Sequence, residues 1–247
     1  MRKTRRTGID KLHTLLFGQD LRITEGEPYC QVRPFDFAAD FEPRHLTKPL
    51  PAPAGEVFDI RTFGADPAAE DNAVAVQQAV DAAAKVGGTV LVDGGSYPMS
   101  TVELRSGVTL FITPGSFLAA RPDGKGFRHK ALLYGRDLTN VTLTGGGGLE
   151  GEGHRFGLRP ALPQNCTKPA NLIDVIEMRR TYRAQLRFAH PSKYGGLLCL
   201  EQCQGVCIHH FLFQNSAHWT CRLQMCRDVR IEYAAIRNNR NVANADG

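Results

Sequence analysis

The sequence predicts an all-β chain, a right-handed parallel β-helix (a solenoid) with an N-terminal capping helix. Three observations predict it. Four segments share one pattern, in which a turn residue is followed by Val, any residue, then Leu or Ile: Ser106-Gly107-Val108-Thr109-Leu110, Thr139-Asn140-Val141-Thr142-Leu143, Gln204-Gly205-Val206-Cys207-Ile208 and Arg227-Asp228-Val229-Arg230-Ile231. The last two copies match further at a spacing of 23 residues, pairing Cys203 with Cys226, Phe213 with Ile236 and Asn215 with Asn238. Repeats of this length made of short strands signal stacked coils, and are too short for a four-stranded propeller blade. The third observation is one Ala-rich helical segment ahead of the repeats, placed to cover the apolar section that the first coil would otherwise expose.

The elements follow in order. Residues 1–55 read as an N-terminal extension that ends in a linker, Lys48-Pro49-Leu50-Pro51-Ala52-Pro53-Ala54-Gly55. The run Ile9–Phe17 suits a helical arm or a segment without structure. Val57-Phe58-Asp59-Ile60 alternates as a short strand should and opens the β-helix domain, residues 56–247. Asp71 stands where an N-cap belongs, Ala73 to Val86 forms a helix of about four turns, and Gly87-Gly88 stops it. Thr89-Val90-Leu91-Val92 is a strand and Asp93-Gly94-Gly95 a turn, after which short strands continue. Stacking should bury the pairs 141/143, 206/208 and 229/231 in one interior column. Val141 and Val206 are 65 residues apart, more than two coils, so an excursion over roughly 157–196 separates them. Within it, Asn171-Leu172-Ile173-Asp174 opens an Arg-rich helix reaching about Phe188.

Composition narrows the function. Charged residues at 22% and apolar residues at 42% are ordinary for a globular chain, and no apolar run is long enough to span a membrane. The net charge of +5 is modest, with no basic run interleaved with aromatics beyond the first six residues. No nucleic-acid partner is expected, whereas a polyanionic sugar would suit this charge. Met1 to Arg6 is basic, but Leu15-Leu16-Phe17 is too short for the apolar core of a signal peptide. As written the chain is expected in the cytoplasm, with secretion or the periplasm open if the true N-terminus differs. Seven cysteines frame no disulfide scaffold. Cys199, Cys203 and Cys207 recur every four residues, and are expected as one interior column of small apolar side chains, with no zinc. His209-His210 is expected as a strand pair with one ring in and one out. No Gly-rich phosphate loop, Ser-His-Asp order or zincin motif is present, and no metal or other cofactor is expected.

Several segments together resemble the family 28 glycoside hydrolases, the polygalacturonases and their relatives. They are Val57–Ala65, the Ala-rich helix, Gly87-Gly88-Thr89-Val90, Gly94-Gly95-Ser96-Tyr97, Asn140–Gly145 through Leu149–Gly153, Asn215-Ser216, Trp219-Thr220 and Asn244-Ala245-Asp246-Gly247. The resemblance spans about residues 57–247. It departs at Ala245, where the family more often has Thr, and at Asp66-Pro67-Ala68-Ala69, where the family has a Gly-Asp turn. The family's paired aspartates, Gly-His-Gly and Arg-x-Lys segments have no counterpart up to Gly247, so the domain is expected to be cut off at its C-terminal end and inactive alone.

The resemblance implies an inverting hydrolase of pectin-type polysaccharide, cutting uronide or rhamnogalacturonan linkages. Asp246 would be one of its aspartates, helping to activate water. An inverting pair needs carboxyl groups roughly 6.5–9.5 Å apart, which neighbouring coils about 4.8 Å apart can supply from one face. An Asp before Gly also serves a turn. Asn244, two residues earlier on the same strand face, would orient Asp246 or touch sugar hydroxyls, or stack in an Asn ladder. If the turn after Asn238 carries one residue more than the turn after Asn215, Thr220 lies under Asn244 and Arg222 under Asp246. Arg222 would then hold a uronate carboxylate bidentately, pair with Asp246, or face solvent. His218 and Trp219 are candidates for the same groove, since aromatic rings stack on sugar faces; a buried Trp is the alternative. Two rival functions share such a fold: a pectate-lyase-like enzyme, which needs acidic Ca²⁺ ligands that the sequence does not cluster, and a non-catalytic glycan-binding or adhesin β-helix.

Overall fold

The residue before Val in each of the four repeats has a left-handed backbone: Gly107 (φ 77°), Asn140 (55°), Gly205 (70°) and Asp228 (51°). Only Gly, Asn and Asp visit this region at low cost, because a Cβ there crowds the following carbonyl. The turn chemistry written in the repeat is thus the corner of each coil. In the later coils a second left-handed residue stands three positions earlier, at Asp137, Gln202 and Met225. The structure, a computed structural model, describes residues 49–153 and 195–238.

Strands β1 (Val57–Asp59), β2 (Thr89–Val92), β5 (Thr109–Ile112), β8 (Thr139–Thr144), and the first halves of β11 (Gln204–Gln214) and β13 (Arg227–Arg237) pair in parallel as a first face. A second face stacks β3 (Ser96–Met99), β6 (Phe117–Ala120), β9 (Gly148–Glu150) and the second halves of β11 and β13. The third face runs β4 (Val102–Glu103), β7 (Ala131–Arg136), β10 (Gly196–Glu201) and β12 (Cys221–Gln224). The chain visits the three faces in rotation, and this is the predicted parallel β-helix.

Register follows the repeat. Val206 lies opposite both Val141 and Val229, Ile208 opposite Leu143 and Ile231, and Phe213 opposite Ile236. Val141, Leu143, Val206 and Ile208 are buried in the main core, while Val229 and Ile231 on the last described strand are 38% and 52% exposed. Because β8 and β11 are direct neighbours, the excursion is an insertion within a single coil.

The helix α1 (Ala73–Ala84) buries Ala75, Val76, Ala79, Val80 and Ala83 beside β1, β2 and β4, as a cap on the first coils. Its start is held as expected by Asp71, whose Oδ1 accepts from the N–H groups of Ala73 and Ser100, both at 2.9 Å. Asn72 occupies the formal cap position, but its amide bonds Asp66 N–H and the Pro98 carbonyl instead. The helix ends two residues before Val86, where the Gly88 N–H reaches back to the Ala83 carbonyl at 2.8 Å. The first strand stops at Asp59, and Ile60 begins a 3₁₀ turn through Phe63.

Two expectations are corrected. Cys199, Cys203 and Cys207 do not share one face. Cys203 lies in the main core with Cys226 packed against it, Cys199 joins Ala131 and Tyr134 in a separate cluster, and Cys207 is half-buried. Their even spacing crosses Gln202 and Gly205, and each left-handed residue resets the strand alternation. His209 and His210 do not project to opposite sides. His210 is itself a left-handed corner residue (φ 48°), so both rings line one cavity beside Pro49 and Pro51, with their Nδ1 atoms 3.2 Å apart. The arm at Ile9–Phe17, the helix at 171–188, Asn244 and Asp246 lie outside the described residues.

Candidate functional site

On the third face, alternate side chains point away from the core and align from coil to coil. Glu103, Tyr134, Cys199 and Arg222 occupy one such row by register. Val102, Leu133, Leu198 and Cys221 form the inward row beside it. Arg222 thus lies outward on β12, the strand after Trp219, beside Cys199 of the preceding coil.

Arg222 is tightly held. Its Nη2 and Nε donate to the Cys199 sulfur at 2.8 and 3.1 Å, and Nη2 also lies 3.4 Å from Glu201 Oε1. The other oxygen of Glu201 accepts from the Tyr134 hydroxyl at 3.0 Å. The Cys199 thiol in turn lies 3.7 Å from Glu201 Oε1. Burial pushes the Cys199 thiol up, against the lowering influence of the Arg222 guanidinium beside it. Burial likewise raises Tyr134, helped by its bond to Glu201, so the phenol stays a donor at neutral pH. The fork geometry of Arg222 is therefore engaged by a sulfur and a carboxylate of this chain.

Above this network is a cleft of about 340 Å³, lined by Lys130, Gly195, Gly196, His218, Trp219 and Arg222 among others. That volume is within the range of ligand sites, roughly 300–1,000 Å³. Two coils meet at its floor: Gly196 N–H donates to the Lys130 carbonyl at 2.9 Å. A Cβ at Gly195 would collide with the Lys130 carbonyl, and one at Gly196 with the Trp219 carbonyl. Glycine is required at both places for the backbones to come this close.

Trp219 is 48% exposed and lines the cleft, and the His218 ring meets it edge-on at 5.1 Å. The structure brings three of the five predicted site residues, Arg222, Trp219 and His218, to one cleft; Asn244 and Asp246 fall outside the described residues. Lys130, Cys199, Glu201 and Tyr134 are additions. The two outward carboxylates of this face are tied to cations, Glu201 to Arg222 and Glu103 to Arg128 (3.3 Å) and Arg105 (3.5 Å). Chemically, the described part of the cleft is cationic and aromatic, suited to hold an acidic ring. Among the described residues no three His, Cys, Asp or Glu side chains converge as a metal site, and no helix is long and apolar enough to cross a membrane.

No protein-family model and no curated protein matches the chain. Among solved structures it is similar to a protein of Parabacteroides merdae presumed to be a glycosyl hydrolase, with 24% identity, a TM-score of 0.56, and 74% of this chain and 75% of that one covered. It is similar also to a hyperthermoactive exopolygalacturonase from Thermotoga maritima (18%, TM-score 0.54, 76% and 48% covered). A family 28 exopolygalacturonase of Yersinia enterocolitica shows 20% identity and a TM-score of 0.56, with 75% and 39% covered. At such identities the likeness establishes the fold, a parallel β-helix of the kind these proteins have. The chain spans less than half the length of either exopolygalacturonase.

Proposed function

We propose that the chain is the N-terminal, substrate-holding part of a glycoside hydrolase for pectin-type polysaccharide, cutting uronide or rhamnogalacturonan linkages with inversion. The observation that carries this reading is the cleft on the third face, where an exposed indole stands beside two cations. An acidic sugar presents what such a cleft holds, an apolar ring face for the indole and a carboxylate for the cations. The fold likeness supports the class of chemistry. Asp246 is the water-activating carboxylate in this reading and Asn244 its neighbour toward the sugar. Asn244 follows Thr220 and Asp246 follows Arg222 one coil later if the turn after Asn238 is one residue longer than the turn after Asn215. Trp219 and His218 supply the stacking wall, and Arg222 the rigid cationic edge.

The test is calorimetric binding of short galacturonate oligomers against neutral galactose oligomers of equal length, with products assayed after long incubation. Preferential binding of the acidic oligomers is expected. Any cleavage should give saturated reducing ends and be abolished by Asp246→Asn with binding retained, because that carboxylate acts in the transition state. Equal affinity for neutral and acidic oligomers would defeat the reading. Unsaturated, ultraviolet-absorbing products would assign a lyase instead, and tight binding without cleavage a glycan-binding module.

A further inference from the structure

Of the two cations in the cleft, one is committed in part and the other not at all. Arg222 spends its guanidinium on Cys199 and Glu201. Lys130 is exposed, and among the described residues its ammonium has no carboxylate or hydrogen-bond partner. Its main chain, by contrast, is firmly placed. His129 and Lys130 are consecutive left-handed residues (φ 53° and 51°), an arrangement that costs energy for residues with a Cβ and persists only where the surroundings enforce it.

Those surroundings are visible. The His129 ring lies flat on Tyr134, centroids 3.9 Å apart and planes 9° from parallel, with Nε2 3.5 Å from Glu103 Oε1. The Lys130 carbonyl is fixed by the Gly196 N–H across the coil boundary. Held in this way, the stem of Lys130 starts at the rim of the cleft that Trp219 walls.

We propose that Lys130 is the residue that reads the sugar carboxylate and so sets the preference of this cleft for uronides over neutral sugars. Arg222 is a positioning residue, braced by Glu201 and through it by Tyr134, which shapes the cleft wall. This rests on the uronide-binding reading above. A point-charge ammonium on a flexible stem can meet a ring carboxylate arriving at various angles, whereas the Nε–Nη2 edge of Arg222 is already engaged by Cys199 and Glu201.

The experiment compares Lys130→Met, Lys130→Arg and Arg222→Lys with the parent protein. Each is titrated with trigalacturonate and with its methyl ester, which keeps the ring and removes the charge. The parent should prefer the acid, and esterification and Lys130→Met should each weaken binding by about ten- to hundredfold, the worth of one charged hydrogen bond. Combined, they should cost little more than either alone, because both delete the same contact. Lys130→Arg should retain most of the preference. Added salt should weaken the parent but hardly affect Lys130→Met. Arg222→Lys should weaken acid and ester alike. Unchanged thermal midpoints check the folds, and Lys130 is exposed enough that its substitution should leave the fold intact. If the parent prefers the acid and Lys130→Met keeps that preference, the assignment to Lys130 is overturned while the uronide reading stands. If the parent shows no preference for the acid, the functional reading falls and this assignment with it.

Discussion

Glu150 is a carboxyl on the outer side of β9 that burial raises to about 7, although the Glu152 N–H and the Asn215 amide both donate to it. Its ordinary value is 4.5. Below pH 4.5 the folded and unfolded states are both protonated and no penalty exists. Between 4.5 and 7 the unfolded chain ionises first, so stability falls as pH rises; above 7 both states are ionised and the loss is constant. The shift corresponds to about 3 kcal/mol. Asp59, held below its usual range by its bond to Arg61, acts in the opposite sense and at lower pH, so the windows stay separate. Urea midpoints measured from pH 4.5 to 8 should therefore decline for the parent and much less for Glu150→Gln, which should be the more stable protein at pH 8. Identical slopes would show that Glu150 is ionised at no cost. Single residues of the cleft were legible by their place in the repeat or by their type. Arg222, just ahead of the second copy of the 23-residue match, can be counted from the repeat, whereas Trp219 and His218 stand out by residue type. Lys130 was legible in neither way, because its coil is of another length and its orientation depends on two left-handed residues of types that do not advertise them.

Coil corners were legible where they use Gly, Asn or Asp and illegible where they use Gln202, His210, Met225 or Tyr233. The physical reason is that the first group adopts the left-handed region by its own preference, while the second is forced into it by the ladders on either side. Reading strict alternation through corners of both kinds, at Gln202, Gly205 and His210, misplaced Cys199, Cys207 and one ring of the histidine pair. The same logic makes a prediction at Asn140, whose φ is 55° and which lies between the Gly107 and Gly205 corners of the adjoining coils. Asn140→Gly should change stability little, since Gly reaches this conformation freely. Asn140→Val should cost about 1–2 kcal/mol from the left-handed backbone alone. Chemical denaturation of the two variants checks this, and equal losses would mean that the side chain of Asn140, and not its backbone, matters at the corner.

Stacked coils share their stability with neighbours, so the same side chain is worth different amounts at different heights in the column. Ile208 is fully buried between Leu143 and Ile231, whereas Ile231 belongs to the last described strand and is half exposed. Ile208→Ala should cost about 2–5 kcal/mol, the range for a truncated core aliphatic. Ile231→Ala should cost much less, because a half-exposed side chain forfeits only part of its transfer energy and leaves no closed cavity. The sequence shows both as equivalent members of one repeat; only their position in the stack separates them. That position has a second consequence. Val229, Ile231 and Ile236 present an apolar row on a strand of eleven residues, accompanied by Met225 at its approach. Exposed apolar rows promote association with other chains unless a charge interrupts them. Sedimentation should accordingly show association that grows with protein concentration, and Ile231→Lys should reduce it while leaving the thermal midpoint nearly unchanged. Association that persists undiminished in that variant would place the contact elsewhere on the molecule.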